Sequence, residues 1–307
     1  MIFVLIFIIK NMSLNIPIWK LRDWIDIEKL DWDMLSLNTN PKAIKLLEEN
    51  MEKINWYVLS CNKNAIHILE KNTEKIDYSN LSLNTNAIEL LKQNKDKIDW
   101  DNLSKNKNAI YLLEENPEKI DWYNLSYNKN AIHLLEKNLD KIDWYNLPEN
   151  KNAIKLIEEN LDKIIWKYLS LNKNAIHILE RNPDKIDWYD LSRNKNAISL
   201  LDRNLEKIDW KGLSRNKNAI NLLEKYPENI DWDILSRNKN AIEILKENQD
   251  KIDWCSLSRN PSIFELDYEK MRINNQMMYE DLIKEVMKPS RVFKNPDYDY
   301  LEELFGD

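Results

Sequence analysis

The stretch NKNAIHILERNPDKIDWYDLSR, residues 172–193, decides how this chain is read. Ala175, Ile176, Ile178 and Leu179 fall at i, i+1, i+3 and i+4, so they share one face of a helix. Asn172 suits the N-cap, where its side-chain oxygen accepts from a free backbone N–H. In the last copy Asn260 precedes Pro261, a residue favoured at the first helical position. Asn182 tolerates the left-handed backbone that closes a helix, and Pro183 disfavours helical backbone in the residue before it. A second helix follows. Asp187 is its N-cap, and Ile186 and Leu191 form a hydrophobic staple around that cap. The unit is read as a helix of about nine residues, a tight turn and a helix of about six.

The unit repeats. Trp100, Trp122, Trp144, Trp166, Trp188, Trp210, Trp232 and Trp254 are spaced 22 apart, and Tyr78 and Trp56 extend the series backwards. Trp32 precedes Trp56 by 24, because Asn38-Thr39-Asn40-Pro41-Lys42 carries two extra residues. Helices this short do not survive alone in water, since nucleation costs more than so few hydrogen bonds return. Each unit must bury its Ala, Ile, Leu and Trp positions on its neighbours. Burial stabilises by roughly 1.5–3 kcal/mol per large apolar side chain.

The predicted fold is therefore all-α: an elongated right-handed-type α-solenoid of about ten 22-residue two-helix repeats, capped at both ends. Residues 1–11 are read as an apolar extension and 12–37 as an N-terminal cap with a first partial repeat. Residues 38–260 hold the tandem repeats, and 261–307 a capping helix with an acidic tail. Trp19, Leu21, Trp24 and Ile25 look like a degenerate first unit. A longer helix is expected from Tyr268 to Met287, with Met271, Met278, Leu282, Ile283 and Val286 on its apolar face and Pro289 ending it. Ile165 stands where other copies have the capping Asp, and Pro148 where they have Ser, so the array is expected to bend or weaken there.

Composition removes several classes of function. Gly212 and Gly306 are the only glycines, too few for a phosphate-cradling loop or a dinucleotide fingerprint. The net charge of −7 argues against a general nucleic-acid binder. Cys61 and Cys255 lie many repeats apart, beyond bridging distance in an extended solenoid, which favours a reducing compartment. Ile2 to Ile9 are apolar but span about half of the roughly 20 residues a membrane helix needs. They also lack the basic start and cleavage site of a signal peptide. An upstream start before Met12, or a loose extension, is the preferred reading. A signal or anchor, and packing on the first repeat, are the alternatives.

The motif N-x-N-A-I-x-L-L-E-x-N-x-x-K-I-D-W-x-x-L-S, as in Asn128-Lys129-Asn130-Ala131-Ile132 through Ile142-Asp143-Trp144, resembles repeat proteins of giant, mimivirus-like viruses of amoebae. The resemblance covers roughly Ile27 to Asn260. It extends to Leu266-Asp267-Tyr268-Glu269-Lys270-Met271 and Pro289-Ser290-Arg291, although Lys288 stands where that family's ending has His. It implies a viral protein that is intracellular, in host cytoplasm or virion, and not secreted. It implies no activity, catalytic residue or cofactor.

Candidate sites are few. His67, His133 and His177 share one position in repeats too far apart to converge on a metal, so no metal site is expected. The recurring Ser126, Ser170 and Ser214 lack a base and are read as helix-end hydrogen-bonding groups. The Trp column is read as core. Arg193, Arg215, Arg237 and Arg259 share a position in four successive repeats. They are either paired with local carboxylates or form a strip for an acidic partner. Tyr123, Tyr145 and Tyr189 occupy a variable position after the Trp, and tyrosine suits interfaces.

The expected function is a non-catalytic scaffold, without cofactors, that binds a host or viral protein as a monomer. Neither a membrane nor a nucleic-acid partner is expected. The alternative is a nucleic-acid-binding solenoid that uses the Arg column.

Overall fold

The computed structural model describes residues 17–286. They fall into two compact units, Arg22–Ile263 and the described residues on either side of it. The expectations for residues 1–11, for Met12, and for everything from Met287 onwards, including Pro289 and the acidic tail, lie outside the described residues.

The chain is helix-rich and built from regularly repeating helices, as the 22-residue period predicts. In the unit of residues 172–193 the first helix is Ile176–Arg181. A 3-10 turn, Pro183–Lys185, leads to the second helix, Trp188–Arg193. The second helix starts as predicted: the Asp187 side chain accepts from the Asp190 backbone N–H. Ile186 and Leu191 on either side of that cap are both buried.

The first helix departs from expectation. It begins at Ile176, with Ala175 in the cap position and no side-chain cap bond. Asn172 lies ahead of it and folds the connecting turn, accepting from Asn174 N–H at 3.0 Å. Its amide is committed elsewhere, to the carbonyls of Pro148 and Asn150 in the preceding repeat. Its oxygen is taken up by the Asn174 N–H ahead of the helix, and so does not reach the helix's own first N–H groups. Nor does Asn182 adopt a left-handed backbone; its φ is −132°, and no non-glycine residue among those described has positive φ. Instead its amide donates to the Ile178 carbonyl, satisfying a helix-end acceptor by side chain.

Three rails of hydrogen bonds run between neighbouring repeats, the first interrupted between Pro148 and Ile165 and the third where Ser262 replaces the asparagine. In the first, the backbone N–H at the capping Asp donates to the preceding repeat's serine, as in Asp121 to Ser104 Oγ at 3.1 Å. That serine donates in turn to its own Trp100 carbonyl. In the second, Asn128 donates to the Ser104 and Asn106 carbonyls. In the third, Asn130 donates to the Lys107 carbonyl. The serines and the first asparagines are buried, so losing a partner would leave an unsatisfied group, at about 1–3 kcal/mol each.

The predicted open stack with a polar cap at each end is not what forms. All three rails continue from the last repeat to the first. Asp31 N–H donates to Ser258 Oγ at 2.8 Å. Asn38 donates to the Ser258 and Asn260 carbonyls at 2.9 and 3.1 Å, and Asn40 to the Pro261 carbonyl at 3.3 Å. The second helix Trp32–Leu35 packs on the second helix Trp254–Ser258. Arg22–Ile263 is thus a closed ring whose terminal units cap each other. Consecutive second helices lie closer together than consecutive first helices do. In a closed ring the shorter circumference is the inner one, so the second helices line the inside.

Closure also moves the cysteines. Cys61 and Cys255 are not at remote ends; one repeat separates theirs across the seam, and both thiols are free.

The tryptophans are half-buried rather than enclosed in the core. A lysine of the next repeat lies over most of these rings, as with Lys53 over Trp32 at 4.4 Å and Lys207 over Trp188 at 4.8 Å. The seam has the same contact, Lys29 over Trp254 at 4.9 Å. Where Asn229 replaces the lysine, the Tyr226 ring packs against Trp210 instead.

In the second unit, β1 (Trp19–Leu21) pairs antiparallel with β2 (Phe264–Leu266), with Lys20 opposite Glu265. Trp19 and Leu21 therefore belong to a β-ribbon, not to a degenerate helical repeat. The backbone groups of Trp19–Leu21 are taken up by pairing with Phe264–Leu266, which leaves them no part in a helical turn. The long helix runs Tyr268–Val286. Met271 is half-buried, while Ile273 and Met277 are exposed. The side chains of Met278, Leu282, Ile283 and Val286 lie outside the described residues.

Candidate partner-binding face

On each second helix Leu and Ser point into the core. The residue after the Trp and the residue four further on lie one turn apart on the opposite face. That face carries both predicted columns. Tyr123, Tyr145 and Tyr189 are about half exposed, at 49%, 47% and 47%. Arg193 lies 5.9 Å from the Tyr189 ring centroid, so the Tyr and Arg positions share one surface.

The surface is graded around the ring. One arc is aromatic. Tyr123 packs edge-on against Tyr127 at 6.3 Å, and the Tyr145 and Tyr168 rings approach to 4.7 Å. The Tyr168 hydroxyl donates to that of Tyr145. Glu149 sits beside this arc. Burial pushes its carboxyl above the usual carboxylate range and Asp190 adds to the rise, while Arg193 and Lys105 oppose it. Burial, with Glu149 nearby, also pushes Tyr127 up to about 12. Tyr168 is raised to about 12 by its bond to Tyr145 and by burial.

The other arc is basic, and its four arginines are not equivalent. Arg193 is held by the buried Asp190 carboxylate at 2.9 Å, although its Nε is buried without a partner. Gly212 of the next repeat leaves the space it occupies; a Cβ there would lie 3.2 Å from Arg193 Cγ. Arg215, Arg237 and Arg259 are exposed. Among the described residues no carboxylate pairs with them. Arg237 donates from Nε to Ser256 Oγ at 2.9 Å. Local pairing thus accounts for one arginine of the column and not for the other three. These three line a cavity of about 480 Å³ with Lys217, Lys239, Leu37, Thr39, Ile234 and Pro261. Sequence reasoning missed Lys217 and Lys239; their position follows the Arg by two residues, and that spacing was the available signal.

The histidines stand on the first helices, away from this face. Each bonds a glutamate of the preceding repeat at 2.9 Å: His67 to Glu48, His133 to Glu114 and His177 to Glu158. Ser170 is buried, accepting from Asp187 N–H and donating to the Trp166 carbonyl. Among the described residues no cluster of three or more His, Cys, Asp or Glu side chains is placed to hold a metal. Nor is any helix among them long and apolar enough to cross a membrane.

Comparison with protein-family models, with curated proteins and with solved structures gives no match.

Proposed function

We propose that this chain is a non-catalytic scaffold that binds a protein partner on the exposed face of its second helices. The observation behind this reading is a division of labour within the repeat. The Asn, Ser, Asp and Leu positions are consumed by rails and core. The two outward positions of the second helix differ from copy to copy and gather four tyrosines, Tyr123, Tyr127, Tyr145 and Tyr189, with Tyr168 joining them beside Tyr145. Aromatic residues on a fixed backbone give large contact area at small entropic cost. The proposal includes a host or viral partner inside the cell, an origin in a giant virus of amoebae, and right-handed winding of about ten units.

The test is affinity purification of the full chain from cells, beside a variant with Tyr123, Tyr145 and Tyr189 changed to Ala. A second variant carries His133→Ala and Lys155→Ala on the first helices. A partner retained by the wild type and the second variant, and lost by the first, supports the proposal. No reproducible partner, or one indifferent to the tyrosines, overturns it.

A second reading, nucleic-acid binding, draws on the unpaired Arg215, Arg237 and Arg259. The arginine track is short, however. It stops at the Asp190–Arg193 pair on one side and at Leu37, Cys61 and Leu83 on the other, and beyond it only the lysine position continues, as Lys195 and Lys173. A strand-binding groove needs continuous positive charge and loses affinity steeply with salt. Filter binding of single-stranded RNA and DNA at low and moderate salt decides this reading.

A further inference from the structure

We infer that the cavity between Arg215, Arg237 and Arg259 is a binding site for a small phosphorylated molecule carrying two or more phosphoryl groups. Arg215, Lys217, Arg237, Lys239 and Arg259 bring five cations to one cavity, and no carboxylate lines it. Guanidinium groups fork onto phosphate oxygens through two parallel N–H donors, so three of them suit an anion with several oxygens. At about 480 Å³ the cavity falls within the roughly 300–1,000 Å³ range of small-molecule sites. A single phosphate would leave most of it empty. Leu37, Ile234 and Pro261 supply an apolar wall against which an organic body packs.

Ring closure completes this site. Arg215, Arg237 and Arg259 come from the last three repeats, and Leu37 and Thr39 from the first. An open stack would lack that wall. The arginines without a carboxylate partner are confined to three repeats, between Arg193, held by Asp190, and Leu37 at the same position, so they converge on a compact anion, while only the lysine position continues beyond them as Lys195 and Lys173. The side chains of Arg215 and Arg259 make no hydrogen bond among the described residues, and so are available without breaking an internal pair. A site that spends no carboxylate on its own arginines keeps its positive potential for an incoming anion.

The site is independent of the tyrosine arc, so its test does not depend on a protein partner. Calorimetric titration of the full chain with inorganic triphosphate, ATP and orthophosphate at physiological salt is the experiment, with thermal melting in parallel. Triphosphate and ATP are expected to bind at least tenfold more tightly than orthophosphate and to raise Tm. Arg237→Gln should weaken both by about tenfold or more, since one hydrogen bond to a charged group carries that much. The combined Arg215→Gln, Arg237→Gln and Arg259→Gln variant should abolish binding, while Tyr123→Ala leaves it unchanged. These arginines are exposed and outside the rails, so circular dichroism should confirm folding. If the triple variant does not fold, Arg215→Gln and Arg259→Gln separately replace it. Absence of triphosphate and ATP binding overturns the inference, as does binding unaffected by these substitutions. Tighter binding of polyglutamate or of single-stranded RNA, displacing triphosphate, overturns it in favour of a polymer ligand.

Discussion

Asp31 donates its backbone N–H to Ser258 Oγ at 2.8 Å across a separation of 227 residues. It is the same bond that Asp121 makes to Ser104 at 3.1 Å between adjacent repeats. The seam is built as an ordinary repeat interface. Asn38→Ala should therefore cost what Asn128→Ala costs inside the array, about 1–3 kcal/mol for the buried carbonyls each leaves unsatisfied. Urea denaturation of both variants checks this. A seam variant as stable as the wild type would show that these bonds do not hold the ring.

Closure was the part of the fold hardest to see from the sequence. The period, the Asp caps and the buried Leu positions follow from local spacing. Whether a stack meets its own start depends on the summed small rotations between repeats, which no single residue encodes. A signal was present nonetheless. Asp31, Asn38 and Asn40 keep the donor side of every rail in the first copy, and Ser258, Asn260 and Pro261 keep the acceptor side in the last. A polar cap would have abandoned both sets. The Arg column was legible as a column. Its splitting into one arginine held by a carboxylate and three without one follows from what stands three residues earlier, once the second helix is known to run through both positions. There Asp190 faces Arg193, whereas Gly212, Ile234 and Ser256 offer no carboxylate.

Tyr78 stands at a Trp position with its hydroxyl buried and without a hydrogen-bond partner. Its ring keeps the stacked ammonium of Lys97 at 4.8 Å. Tyr78→Phe should retain that contact and remove the unsatisfied group. Thermal melting should show equal or higher stability, by up to about 1–3 kcal/mol. A loss of 1 kcal/mol or more would mean the hydroxyl has a partner in solution.

Ile165 caps the helix Trp166–Leu171 without a side-chain bond. Pro148 removes the serine that would receive its N–H, so the first rail is broken at one interface. The second rail survives there, through Asn172 to the Pro148 carbonyl at 2.7 Å. The interface therefore lacks one cap bond and one rail bond but keeps the second rail. Ile165→Asp should restore the cap and stabilise the chain by roughly 0.5–2 kcal/mol in denaturant titration. Destabilisation would show that Ile165 packing outweighs the cap.

Glu149 has its folded-state pKa raised above 4.5, chiefly by burial. A raised pKa means the folded state holds the proton more tightly than the unfolded state does. Its contribution to stability is fully present below the unfolded pKa and is lost as pH rises through the folded value. Glu149→Gln should therefore be more stable than the wild type at neutral pH, the difference shrinking towards pH 4. Melting curves across that window test the sign. A variant less stable at pH 7 would indicate that Arg193 and Lys105 outweigh the burial cost.

The central claim is that Arg22–Ile263 closes into a ring. Spin labels on Cys255 and on Asp33→Cys occupy equivalent exposed positions on either side of the seam, with Cys61→Ser removing the other thiol. Labels on Asp101→Cys and Tyr123→Cys, in a chain with Cys61 and Cys255 changed to Ser, provide the interior reference. A closed ring predicts the same dipolar broadening for the two pairs. Broadening in the interior pair with none across the seam would contradict closure.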